Sequence, residues 1–404
     1  MTTPPQPPQP PLHEEPPHSP PGPHDGPTPD GRWQRFVDWL KTPMARFTGA
    51  AGLGGLVLGL VIGLCAGGGD NGSEVNQAAV TTLPPIFTEE STTTSVAPAQ
   101  EGSSTTTTQP VLDRNPLTGE VLAEPASGRI IAVKVDNVPA AQPQIGIGSA
   151  DMVMEVPIEG GLTRFTALYF GATPPTVGPV RSVRPVDADL LAPFRPVLVA
   201  TGGQDFVLRL FEAADIPVLD LDTDGLYGVV NRPEPQHIVA LLEFIDRFAG
   251  DEASPAGPFP FTDEFVAETT ASSIMIPYSA VVDVVWRFED GRWVRAQNGE
   301  TAESVTSVGG APEPVTADTI VVLEVAERSA GYFDTAGTEV TTYDVIGFGD
   351  ARVFHDGRVI EGRWLRASQE DPWVLLDDSG ARVALPPGRM FVEIVPRFVE
   401  VTFS

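Results

Sequence analysis

Arg129-Ile130-Ile131-Ala132-Val133-Lys134-Val135-Asp136-Asn137 is the stretch from which the fold can be read. Its compact β-branched run, Ile130 to Val135, has the composition of a strand. The run stops at Asp136-Asn137, and at such strand ends the side chains of α/β sheets reach into a crevice. Downstream, Met152 to Val156 and Thr163 to Phe170 read as two more strands, joined by a turn at Glu159-Gly160-Gly161. Pro196 to Ala200 is a short apolar run entering a loop at Thr201-Gly202-Gly203. Asp205 to Ala214 follows as a helix, with Phe206, Leu210 and Ala213 on one side. Ile216 to Leu221 reads as a strand, and Gln236 to Phe248 as an amphipathic helix with Ile238, Leu241, Leu242 and Ile245 on its face. This alternation predicts an α/β layered domain over 113–255.

Beyond Pro255 helical periodicity nearly vanishes. Ala280 to Phe288, Arg292 to Arg295, Thr319 to Val325, Arg352 to Ile360, Arg363 to Arg366, Trp373 to Leu376 and Phe391 to Thr402 read as short strands. Asp290-Gly291 and Asp356-Gly357 are strong hairpin turns, because glycine accepts the positive φ they need. Residues 256–404 are therefore expected to form a mostly antiparallel β domain.

The chain upstream has a different character. Residues 1–46 open with proline runs such as Pro4-Pro5-Gln6-Pro7-Pro8, which favour extended conformations and read as a disordered arm. Phe47 to Gly69 runs for about 23 positions without a charge, enough for a helix of roughly 34 Å. Arg32, Arg35, Lys41 and Arg46 precede it and Asp70 and Glu74 follow, so the arm is expected in the cytoplasm and everything after Asp70 outside. Ala51, Gly55, Gly59, Gly63 and Gly67 share one face at a spacing that lets two membrane helices pack, which makes a homodimer through this helix an expectation. Residues 70–112, with Thr and Ser runs, read as a flexible linker. The expected location is the cell membrane, as a single-pass protein with its C-terminal ectodomain outside. The one cysteine, Cys65, lies in the apolar run behind Leu64, too far along the chain for signal-peptide cleavage, and precludes any intrachain disulfide.

The formal net charge is −29, from 54 acidic and 25 basic residues. So acidic a surface repels phosphate backbones and argues against nucleic-acid binding; any bound anion must meet a local basic pocket.

Five further segments stand in a telling order: Asn115-Pro116-Leu117-Thr118-Gly119; Ile131 to Asn137; Ala150-Asp151-Met152-Val153-Met154-Glu155; Glu159-Gly160-Gly161-Leu162-Thr163-Arg164-Phe165; and Gly178-Pro179-Val180-Arg181-Ser182-Val183-Arg184-Pro185. Together they resemble the YerB-like family, which carries a domain of unknown function, DUF3048. Gly349-Asp350-Ala351-Arg352-Val353-Phe354-His355-Asp356-Gly357 and Gly362-Arg363-Trp364 resemble that family's C-terminal domain. The resemblance covers 113–404. It implies an extracytoplasmic, membrane-tethered bacterial protein of a family commonly described as lipoproteins, with no agreed activity. The chain departs from the family in its anchor, which reads as a membrane helix, and at Pro235-Gln236-His237, where relatives tend to show Pro-His-Asn.

The residues able to carry chemistry gather in the first domain. Arg164, Arg181 and Arg184 are unusual cations in an acidic chain, and arginine forks match phosphate or carboxylate. With Asn137 and His237 they form the candidate ligand-binding set. Asp136, Glu155 and Glu159 are the candidate acids and bases for glycan or phosphodiester chemistry. The same residues have structural readings: Asp136 capping a loop, Glu155 pairing with Arg164, Arg181 bracing a turn. His355, before a hairpin turn, is expected exposed, and His237 is expected in the first turn of a helix. Asp220, Asp222 and Asp224 echo a calcium loop, but Asn231 stands where its glutamate belongs. No metal or cofactor is expected. Two functions follow. One is a module binding an envelope component, such as a glycan or anionic ligand, or a protein partner. The other is an enzyme acting on cell-wall glycan or a lipid-linked phosphate. A cytoplasmic role for the proline-rich arm is a weaker third.

Overall fold

The computed structural model describes residues 114–123, 128–250, 257–334 and 337–404. The arm, the apolar run at 47–69 and the linker lie outside these residues. Among those described, no helix is long and apolar enough to cross a membrane.

One large sheet runs through the whole folded part. Its central path passes from Arg382–Val383 through Val374–Asp377, Arg358–Arg366, Gly347–His355 and Thr319–Phe333 to Met390–Pro396. It continues through Met152–Pro157, Thr163–Tyr169, Ile131–Asp136 and Val197–Val199 to Val218–Leu219. The Met390–Pro396 strand sits in the middle, parallel to Thr319–Phe333 on one side and to Met152–Pro157 on the other. This strand from near the end of the chain thus joins strands from both halves of the sequence. Most of the other pairing after residue 256 is antiparallel, in meanders such as Gly347–His355 with Arg358–Arg366, though Glu303–Val305 pairs parallel with Gln144–Ile145.

Both faces of this sheet are covered, which is why its central strands are apolar along their length rather than alternating. Ile131, Val133, Val135, Val153, Phe165, Ile320, Val322 and Phe391 face a second, antiparallel sheet that contributes Ile274, Ile276, Trp286 and Trp293. The Phe391 ring meets Phe165 and Trp286 edge-on at 5.9 and 4.8 Å. Ala132, Met154, Leu168, Leu198, Val321 and Ile394 face the other way. Helices Pro185–Leu191 and Asp205–Ala213 cover that side through Val186, Leu190, Val207 and Phe211.

The expected hairpin turns are present. Asp290 and Gly291, then Asp356 and Gly357, all take positive φ, the geometry that matches strand twist in a two-residue turn. Two readings need correction. The segment from Gln236 to Phe248 is not one helix: Ile238–Leu241 is a strand paired with Tyr227–Val229 and Thr176–Val177. A single tight turn, Leu242–Phe244, and a short helix, Asp246–Ala249, follow it. The apolar spacing fitted a helix, but β-branched Ile238 and Val239 are at home in a strand and available edges claimed their backbone. His237 accordingly leads into a strand. His355 is half-buried, its Nδ1 3.0 Å from the Thr319 hydroxyl, because the hairpin packs against the neighbouring strand. Burial moves its pKa down.

The central position of the Met390–Pro396 strand gives a test. Ending the chain at Gly388 removes it from between its two parallel neighbours and exposes both cores. Such a truncation is expected to lose cooperative unfolding and near-ultraviolet dichroism, whereas removing only Thr402 to Ser404 should leave both.

Candidate functional site

Successive residues of a strand point to opposite faces, and this divides the candidate residues into two groups. Asp136, Arg164 and Lys134 lie on the helix-covered side. Asn137 and Glu155 turn toward the second sheet.

On the second-sheet side Glu155 is fully buried. It does not pair with Arg164. Its Oε2 accepts from Arg295 Nη2 at 2.7 Å, and its Oε1 accepts from the Thr163 hydroxyl at 2.6 Å and from Asn137 Nδ2 at 3.1 Å. Asn137 also donates to Gln297 Oε1 at 2.9 Å and accepts from Gln144 Nε2 at 3.0 Å. Glu393, directly beside Glu155 in the parallel register, is equally buried. It accepts from Trp286 Nε1 at 2.7 Å and from the Tyr278 hydroxyl at 2.9 Å. Two carboxylates thus lie side by side on adjacent strands, and one of them, Glu155, is paired with a guanidinium. Burial, and secondly the charge on Glu155, push the Glu393 carboxyl up to about 8, so it is protonated at neutral pH. The network is enclosed and consists of internal partners.

On the helix side the charges are also paired, with one exception. Asp136 takes Arg181 Nε at 2.8 Å, the Asn137 amide at 3.0 Å and Gln236 Nε2 at 3.3 Å. Lys134 Nζ, fully buried, meets Asp187 at 2.7 Å and the Thr166 hydroxyl at 3.1 Å; burial moves its pKa down despite Asp187. Arg184 holds Glu159 with two nitrogens, one at 2.8 Å. Burial works to raise Glu159, but the Arg184 hydrogen bond and charge leave it below the ordinary value. Arg164 is the exception. It is 7% exposed, its Nη1 donates to the Ser182 carbonyl at 2.9 Å, and its Nε has no partner. Among the described residues no carboxylate forms an ion pair with it. Burial, and then the Arg184 charge, push it down to about 10. His237 has a buried Nδ1 without a partner and makes no bond to the arginines.

The three arginines therefore do converge, at the end of the Ile131–Asp136 strand. The segment from Gly178 to Arg184 crosses there, the Arg181 amide donating to Lys134 O at 2.9 Å and the Thr201 amide to Arg181 O at 3.1 Å. Above it lies a cleft of about 290 Å³ lined by Ser182, Arg184, Thr201, Gly203, Gln204 and, from the far half of the chain, Tyr332. Tyr332 sits near the tip of the Thr319–Phe333 strand and packs edge-on against Phe206 at 4.7 Å. Arg295, Gln297, Glu393 and Tyr332 were not singled out from the sequence. Glu393 carried a signal, a lone carboxylate inside Met390-Phe391-Val392-Glu393-Ile394-Val395; the others had none, being opposed only by folding.

The fold and this charged interior define a class: a two-part β-rich domain stitched by the Met390–Pro396 strand. Family models for "Protein of unknown function (DUF3048) N-terminal domain" and "C-terminal domain" match residues 117–251 and 274–392. The chain belongs to the DUF3048, or YerB-like, family. It is 26% identical over 295 residues to "Putative lipoprotein YerB" of Bacillus subtilis (strain 168), covering 70% of this chain and 86% of that protein. The crystal structure of YerB protein from Bacillus subtilis superposes with a TM-score of 0.61 at 25% identity, over 72% of this chain and 99% of that one. Within Pro235-Gln236-His237, it is Gln236 and not His237 that reaches Asp136.

Two outcomes follow from the buried network. The Glu393 pKa is raised from 4.5 in the unfolded chain to about 8, so its contribution to stability is complete below pH 4.5 and is lost as pH rises through 8. Melting temperature should fall between pH 5 and 9, and Glu393→Gln, which mimics the protonated acid, should flatten that fall. Glu155→Gln is expected to cost about 3–5 kcal/mol in urea denaturation at pH 7, because it strands the Arg295 charge in the interior.

Proposed function

We propose that this chain is an extracytoplasmic envelope protein, held at the cell membrane by a single span over residues 47–69, whose folded part binds an envelope component or a partner protein rather than turning over a substrate. The observation that carries the second half is the commitment of all three candidate acids to internal cations. Asp136 is held by Arg181, Glu155 by Arg295 and Glu159 by Arg184. A general acid or base must exchange its proton with a substrate within hydrogen-bond reach. Asp136 and Glu155 are fully buried and lie on opposite faces of one sheet, so they do not serve one bond.

The envelope location is supported by the charge-free run with basic residues before it and acidic residues after it. The lipoprotein description of the Bacillus subtilis relative agrees with tethering outside the cytoplasm. The small-residue face of the run supports pairing of two such helices.

The test uses the full-length protein in detergent with fractionated envelope material: wall-glycan fragments, lipid-linked phosphates and membrane proteins. Saturable co-sedimentation with one fraction, with no new product by mass spectrometry, is expected. Time-dependent product formation would show an enzyme instead. A phosphatase reporter fused after Ser404 should be active only outside the cytoplasm, and is expected to be active.

A further inference from the structure

The face of the large sheet that meets the second sheet is bare at one corner. Phe348 lies directly opposite Leu365, and Leu365 opposite Val374, so these three side chains share one face. Further along the same register Phe354 lies opposite Val359, and there the face is covered, Phe354 meeting Trp293 of the second sheet at 5.8 Å. At the corner Phe348 is 68% exposed and Leu365 40%. The turn after the Met390–Pro396 strand closes against it. Arg397 Nη2 donates to the Phe348 carbonyl at 2.8 Å, and Phe398 beside it is 70% exposed. Two open phenylalanines on adjoining apolar surface mark an interaction site.

The corner also carries free cations. Arg363, two residues before Leu365 and so on the same face, is exposed, as is Arg397. Among the described residues neither forms an ion pair with a carboxylate, and Asp350, opposite Arg363 in the register, does not pair with it. Arg352, the next arginine along the sheet, is by contrast paired with both Glu324 and Glu361. The matching occupant is apolar and acidic. Two copies of a chain with net charge −29 repel each other, and an anionic lipid surface repels it too.

The chain itself supplies such a segment. Between residues 70 and 112 the only aromatic side chain is Phe87, in Leu83-Pro84-Pro85-Ile86-Phe87-Thr88-Glu89-Glu90, and the same stretch holds no Lys or Arg. An apolar run ending in two carboxylates complements an apolar corner with two guanidiniums. Pro84 and Pro85 fix two backbone angles in advance, which lowers the entropy lost on docking. The connection is long enough. The described chain starts where Asn115 meets Asp151, whose carbonyl accepts from the Met390 amide. The corner lies past the other end of that strand, about 23 Å away. Residues 91–113 extend to about 80 Å at most.

We infer that residues 83–90 dock on this corner, with Leu83, Ile86 and Phe87 over Phe348, Leu365 and Phe398, and Glu89 and Glu90 toward Arg363 and Arg397. Because the segment belongs to the same chain, its effective concentration is high and a modest contact suffices. Docking shortens the tether. Only residues 70–82 then separate the run at 47–69 from the folded part, a reach of about 45 Å against about 150 Å for 70–113. This consequence rests on the membrane reading above; the docking does not.

Chymotrypsin cleavage after Phe87 in the full-length protein in detergent tests it, since cleavage follows the population of the undocked form. Leu83 is shielded from the protease by the proline after it, so Phe87 is the site to follow by mass spectrometry. Phe348→Ser/Leu365→Ser should be cut about tenfold faster than wild type, and Glu89→Lys/Glu90→Lys several-fold faster. The second variant leaves the folded part untouched and keeps the question answerable if the first fails to fold. Adding Arg363→Glu/Arg397→Glu to Glu89→Lys/Glu90→Lys should restore the slow cleavage, which a merely local effect of the lysines does not predict. Equal rates in wild type and both variants overturn the docking. Protection that fades on dilution gives the corner to a second copy, and protection that appears only with lipid vesicles gives it to a membrane surface; either result overturns it as well. A reporter placing residues 114–404 in the cytoplasm would remove the membrane reading and leave the docking standing.

Discussion

The parallel pairing of Met390–Pro396 with its two neighbours is the constraint on which the structure depends. A strand in the middle of a sheet must be apolar on both faces when layers cover both. It brings Phe391 against Trp286 and Phe165 on one side and Ile394 into the opposite core. It also brings Glu393 beside Glu155. The pairing that makes one sheet from two halves of the chain therefore creates an electrostatic problem in the interior.

That problem is solved by pairing one carboxylate and neutralising the other. Arg295 supplies one positive charge to Glu155, while Tyr278 and Trp286 supply hydrogen bonds to Glu393, whose proton stays on at neutral pH. Removing water from an ion pair costs free energy that attraction alone seldom returns, so the value of such a network lies in specifying register. Slipping the Met390–Pro396 strand by one residue would send Glu393 to the helix side, away from both donors and from Arg295. On the opposite face the same accounting leaves Arg164 without a carboxylate, and that asymmetry separates the cleft from the sealed network.

Much of the local structure was legible because it rests on local chemistry. The β-branched run at Ile131 and the Asp-Gly turns at Asp290 and Asp356 depend on neighbours within a few residues. The segment at Ile238 was not legible, since its apolar spacing suits a helix or a strand and the deciding partners, Tyr227–Val229 and Thr176–Val177, lie elsewhere. The candidate acids were visible as residue types. Their partners were not: Glu155 and Arg295 stand 140 positions apart, and nothing in either neighbourhood announces the other.

By itself the sequence determined the family, the strand-rich character after residue 256 and the concentration of arginines between Arg164 and Arg184, because motif order, periodicity and composition are properties of the chain alone. Only the tertiary structure decided which carboxylate each arginine meets, that Asp136 and Glu155 look away from each other, and that Tyr332 closes a cleft begun by Ser182 and Thr201. Side-chain alternation fixes the face within a strand, but which strands become neighbours is settled by burying both faces of one sheet at once.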